Sequence, residues 1–129
     1  MFTRASQIAR QLLDSPQDMV VLHGDLHHGN VLNFGERGWL AIDPKHITGE
    51  RGFDFANIFC NPDQDVALKP GRLMHQVAVV AESAELEPHR LLQWILAYAG
   101  LSAAWSLEDG DSAELALAVA DIASSALEI

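Results

Sequence analysis

Cations and cysteine are what this sequence has least of. Eight Lys and Arg stand against eighteen Asp and Glu, for a formal net charge of −10. So few basic residues exclude a nucleic-acid partner, because a phosphate backbone needs clustered Lys and Arg. The same balance suits a cationic small-molecule partner, whose capture an acidic surface favours, and it also keeps a chain soluble. The lone cysteine, Cys60, excludes an internal disulfide framework and fits a reducing compartment. No apolar run reaches the roughly 18–20 residues that span a bilayer, so no membrane partner is expected. The start, MFTRASQIARQLLDS, has a charge and an apolar stripe but neither a long apolar core nor a cleavage site. The expected location is the cytoplasm.

What is present fits one folded domain over residues 1–129, with 49% hydrophobic and 20% charged residues. Ile8, Leu12 and Leu13 at helical spacing predict a helix over 3–14, stopped by Ser15-Pro16. Met19-Val20-Val21-Leu22 has strand length. Asn30–Phe34 and Trp39–Asp43 flank Gly35-Glu36-Arg37-Gly38 and read as a β-hairpin whose second strand ends on Asp43. A glycine-containing loop over 48–52 leads to a short helix near 53–60. The stretch 61–71, with two prolines, reads as irregular. From Arg72 the chain is helical: a stripe of Leu73, Val77, Val80, Ala81 and Ala84, then a helix opened by Pro88 and running to Trp105. Gly110-Asp111-Ser112 breaks it before an alanine-rich helix over 113–127.

The chemistry-bearing residues precede the helical half. His23-Gly24-Asp25-Leu26-His27-His28-Gly29-Asn30 directly follows a strand and matches the kinase catalytic-loop pattern H-x-D-x-x-x-x-N. Three fixed positions are a weak signal alone. The context strengthens them, because a kinase also needs a metal-binding aspartate after the following strands, and Asp43 in Ala41-Ile42-Asp43-Pro44-Lys45 stands there. Phosphoryl transfer is mostly positioning and charge neutralisation. In that scheme Asp25 accepts or orients the proton of an attacking hydroxyl. Asn30 and Asp43 offer oxygen to Mg²⁺, a hard cation, and His23 braces the loop.

The segments VVLHGDLHHGNVL, WLAIDPK and GERGFDFANIFCNP together resemble the aminoglycoside phosphotransferase superfamily, and Asp43-Pro44-Lys45 looks most like its streptomycin 6-kinase and hydroxyurea kinase group. The resemblance implies an α+β fold, mostly α: a protein-kinase-like C-terminal lobe, helical, with a short β-hairpin beside the catalytic loop. It implies Asp25 as catalytic base, Asn30 and Asp43 as magnesium ligands, ATP as co-substrate, and a hydroxyl of an aminoglycoside or aminocyclitol as acceptor. It also implies that Asp54 supports the catalytic loop; a plain role as a helix N-terminal residue is the alternative. Such kinases carry an amino-terminal lobe with a glycine-rich loop, a strand lysine and a helix glutamate. None of these is recognisable here, and Lys45 lies beside the metal site. The expectation is therefore a catalytic lobe without its ATP lobe, incomplete and inactive alone.

Two other functional classes compete. One is a non-catalytic lobe that only binds; apolar surface left by a missing lobe would favour a homodimer. The other is a metal hydrolase built on His23, Asp25, His27 and His28, although the order differs from the H-x-H-x-D-H loop and His46, His75 and His89 are scattered. Cys60, in Ile58-Phe59-Cys60, reads as a small buried hydrophobe rather than a nucleophile. Glu82, Glu85, Glu108, Asp109 and Asp111 are candidates for holding a cationic sugar, with solvated helix ends as the plainer account.

Overall fold

A computed structural model describes residues 1–128. The described residues form six α-helices and four short strands, with three 3₁₀ turns at His28–Asn30, Gly35–Arg37 and Asn57–Cys60: α1 Phe2–Asp14, β1 Met19–Leu22, β2 Val31–Asn33, β3 Trp39–Ala41, β4 Ile47–Glu50, α2 Arg51–Ala56, α3 Gln64–Ala67, α4 Arg72–Ala84, α5 Pro88–Glu108 and α6 Glu114–Leu127. The fold is thus mostly helical with two small two-stranded sheets.

Helix α5 is the centre of the molecule. Pro88 sets its first turn and the Glu87 carboxylate caps it, accepting from the backbone N–H groups of His89 and Arg90. Leu91, Leu92, Trp94, Ile95, Leu96, Ala97, Ala99, Gly100 and Ala103 are all buried, which covers more than one face and marks a core helix. Against it pack α1 through Ala5 and Leu12, and α6 through Ala116, Val119, Ala120 and Ala123. Small residues at these contacts allow close backbone approach. A β-carbon added at Gly100 would collide with that of Ala5, so α1 and α5 cross at their least bulky positions.

The helical expectations hold with small shifts: α5 runs past Trp105 to Glu108, and Cys60 ends a 3₁₀ turn behind α2. Four details differ. The stretch 48–52 is not a loop. Ile47–Glu50 forms β4, antiparallel to β1 with Leu22 opposite Ile47 and Met19 opposite Glu50, and α2 starts at Arg51. Gly49 belongs there because a β-carbon would lie 2.8 Å from Leu22 Cδ1. The stretch 61–71 contains the single-turn α3, capped by Asp63, whose carboxylate accepts from Val66 N–H at 3.0 Å while Ala67 is buried. The hairpin is shorter than expected, with Val31 opposite Ala41 and Asn33 opposite Trp39. Asn30 accordingly closes a 3₁₀ turn over His28–Asn30. Asp43 lies beyond the end of β3 in a left-handed conformation, φ 61°, which a short polar side chain tolerates.

Candidate active site

The loop from His23 to Asn30 leaves β1 and is fastened from three directions. The Asp54 carboxylate, in the first turn of α2, accepts from the backbone N–H of His23 through Oδ2 and of Gly24 through Oδ1, each at 2.8 Å. Both of its oxygens are aimed at the loop, so Asp54 does more than begin a helix. His23 uses both ring nitrogens on backbone. Its Nε2–H donates to the Ile42 carbonyl at 2.5 Å, and its Nδ1 accepts from Asp25 N–H at 3.2 Å, which requires the Nε2–H tautomer. The third fastening is main chain alone: Lys45 N–H donates to the His23 carbonyl at 2.7 Å, and Ile42 N–H to the Asn30 carbonyl at 2.8 Å.

These bonds bring Asp25, Asn30 and Asp43 into one neighbourhood. The buried Asn30 donates its amide N–H to the Asp25 carbonyl at 2.9 Å and to Asp25 Oδ2 at 3.3 Å. Its amide oxygen is then the atom offered to a cation. The Lys45 ammonium stands 3.9 Å from Asp25 Oδ2 and 3.6 Å from Asp43 Oδ2, so both carboxylates face a common point. His27 Nε2 lies 3.8 Å from Asp25 Oδ1, and its Nδ1 accepts from Gly29 N–H at 3.0 Å. The donors for a metal are all oxygen, a set that fits Mg²⁺.

Of the four residues weighed for zinc, His23 is already committed. With both nitrogens of His23 engaged by backbone, the proposed imidazole cluster loses a member. Among the described residues no group of three or more His, Cys, Asp or Glu converges to hold a metal.

A family model for aminoglycoside/hydroxyurea antibiotic resistance kinases matches residues 1–110. The chain belongs to this kinase family. It is 55% identical over 111 residues to a streptomycin 3''-kinase of Klebsiella pneumoniae, a match covering 82% of this chain and 42% of that protein. It is 36% identical over 109 residues to a streptomycin 6-kinase of Streptomyces griseus, covering 82% and 35% respectively. A hydroxyurea phosphotransferase of Kitasatospora aureofaciens is 33% identical over 104 residues, covering 79% and 29%. The chain therefore spans less than half the length of the curated relatives it matches. No solved structure matches it.

In this family member several anchoring residues had no signal in the sequence. Glu50, at the end of β4, is buried and accepts four hydrogen bonds. They come from Arg90 Nε and Nη2 at 2.7 Å each, Trp94 Nε1 at 2.7 Å and Gln17 N–H at 3.0 Å. Burial pushes the Glu50 carboxyl up, yet these bonds and the Arg90 charge outweigh it and hold the group below its ordinary value. The Glu50 bond in turn raises Arg90, against burial. Arg90 also donates to the Ser15 carbonyl at 2.7 Å, so one ion pair ties the α1–β1 connection and β4 to the central helix. Tyr98 of α5 donates to Asn57 Oδ1 at 2.8 Å; burial first, then the neighbouring Cys60 and Asp25 charges, push its hydroxyl up to about 12.

The acidic sugar-binding candidates sit at helix ends: Glu82 and Glu85 at the end of α4, Glu108 and Asp109 at the end of α5, and Asp111 just beyond it. Among the described residues none of these carboxylates forms a hydrogen bond or ion pair with the 23–30 loop. Nor is a helix among them long and apolar enough to cross a membrane.

Proposed function

We propose that this chain is the kinase-like catalytic lobe of an ATP- and Mg²⁺-dependent phosphotransferase acting on a hydroxyl of an aminoglycoside or aminocyclitol. The observation that carries the reading is the convergence of Asp25, Asn30 and Asp43 on a loop clamped by Asp54 and His23. The names of the relatives favour a streptomycin-like acceptor over other alcohols.

In this reading Asn30 and Asp43 hold Mg²⁺ through oxygen. When bound, the metal neutralises charge on the nucleotide phosphates. The remaining work belongs to the chain. The Asp25 carboxylate, fixed by Asn30, accepts a hydrogen bond from the acceptor hydroxyl and orients its oxygen for in-line attack. As the O–H bond breaks, Asp25 takes the proton. Asp54 and His23 do not meet the substrate; they keep the loop backbone in place, which matters because positioning supplies most of the rate in this chemistry. Glycine-rich and lysine elements that cover the phosphates are taken to come from an amino-terminal lobe, so the chain acts as half of a two-lobed site.

The test is phosphoryl transfer from Mg-ATP to streptomycin and related aminocyclitols, with and without an amino-terminal kinase lobe supplied. Phosphorylated product is expected with the lobe present. Asp25→Asn is expected to lower it by at least about a hundredfold, the usual scale for a positioned base. Full activity in a folded Asp25→Asn variant would remove Asp25 from the mechanism, and no product from any combination would favour a lobe that only binds.

A further inference from the structure

Among the described residues Lys45 is the one side chain whose ammonium lies within 4 Å of both carboxylates of the site, and its backbone N–H is tied to the 23–30 loop. Asp43 and His46 on either side of it are left-handed, φ 61° and 56°. Asp and His are among the non-glycine types that enter that region most readily, so the chain can turn back at both positions. The reversal returns Lys45 to the catalytic loop, where its N–H donates to His23 O at 2.7 Å. Its β-carbon packs against Gly24, where an added β-carbon would approach to 3.0 Å. Gly24 is itself left-handed at φ 88°, so this close packing is part of the loop's design. Beyond that anchor the lysine stem is half exposed and flexible, and it carries the ammonium to within 4 Å of Asp25 and Asp43.

Two carboxylates facing one point repel when nothing stands between them, and a chain of net charge −10 supplies few counter-ions. His27 neighbours Asp25 on its other oxygen only. We propose that Lys45 is the resident counter-ion of the metal site. Before a divalent cation enters, its ammonium holds Asp25 and Asp43 at their working separation. The entering cation must displace it from Asp43. The inference rests on reading Asp43 as a metal-binding carboxylate.

Competition for the same oxygens makes the wild type a weaker metal binder than a variant without the lysine charge. Mn²⁺ is the probe, titrated into the nucleotide-free 129-residue chain while free Mn²⁺ is followed by electron paramagnetic resonance. Lys45→Met and Lys45→Gln, both shown folded by circular dichroism, should each bind Mn²⁺ roughly two- to fivefold more tightly, the scale expected for no longer having to break one exposed ion pair. Lys45→Arg, which keeps the charge, should match the wild type, and Asp43→Asn should lose binding. Equal or weaker Mn²⁺ binding by both neutral variants, with Asp43→Asn still defective, overturns the counter-ion role and leaves the metal site standing. Unchanged Mn²⁺ affinity in Asp43→Asn overturns the metal-site reading and the counter-ion role with it.

Discussion

Asp54 and Glu50, four positions apart across the start of α2, are both acidic and both committed to structure, but in different environments. Asp54 accepts from two successive loop N–H groups and organises the site locally. Glu50 is buried in a fork-to-carboxylate pair with Arg90 and a further bond from Trp94. Removing one partner of such a pair leaves a charge without compensation, so Glu50→Gln should cost about 3 kcal/mol or more in urea unfolding at neutral pH. The same substitution has a pH signature. The folded Glu50 carboxyl sits below its ordinary 4.5, so its stabilisation is present above that value and is lost as pH falls through the lower folded value. The wild type should therefore lose stability below about pH 4.5 more steeply than Glu50→Gln, as a series of melts in acid buffers would record.

Helices α1 and α5 meet where Gly100 faces Ala5, and the sequence shows only an isolated glycine inside a helix. Elsewhere in a helix Gly→Ala would gain nearly 1 kcal/mol from propensity. Here the added methyl has no room, and Gly100→Ala should instead lower stability by about 1–3 kcal/mol. Adding Ala5→Gly should restore part of that loss in a double-mutant cycle. Long periodic elements such as α1, α4, α5 and α6 were legible because apolar residues repeat with the helical period over many turns. The hairpin of β2 and β3 was legible from its glycine-containing turn. Strand β4 was not: Ile47-Thr48-Gly49-Glu50 carries a glycine and a charge, and its strand character comes from pairing with β1 and from the burial of Glu50. The Glu50–Arg90 pair joins residues forty positions apart, and nothing local marks either partner. Within the site, Asp25 and Asn30 were readable as a spaced motif. The reach of Lys45 to both carboxylates was not, because it depends on the left-handed turn at Asp43.

Taken as a whole, the molecule keeps its one thiol next to its one phenol in a partly buried layer behind α2. Burial pushes Cys60 up to about 12 from an ordinary 9.0. At pH 8 the folded thiol should react with iodoacetamide far more slowly than free cysteine, and urea should restore ordinary reactivity at the unfolding midpoint. Tyr98 is raised to about 12 for the same leading reason. Both groups favour the fold while protonated, so their contribution is intact below pH 9 and fades as pH climbs toward about 12. The pairing of β1 with β4 also has a consequence at this scale. Leu22 and Ile47 stand opposite each other, and everything between them, from His23 through the hairpin to His46, is a single excursion closed at its neck. Asp54 grips the inner side of that neck and Glu50 locks its base to α5. Two carboxylates from outside the excursion, one at its neck and one at its base, thus act as clasps: the residues from His23 to His46 are held as one cassette whose footing lies in β4, α2 and α5 rather than in its own short hairpin.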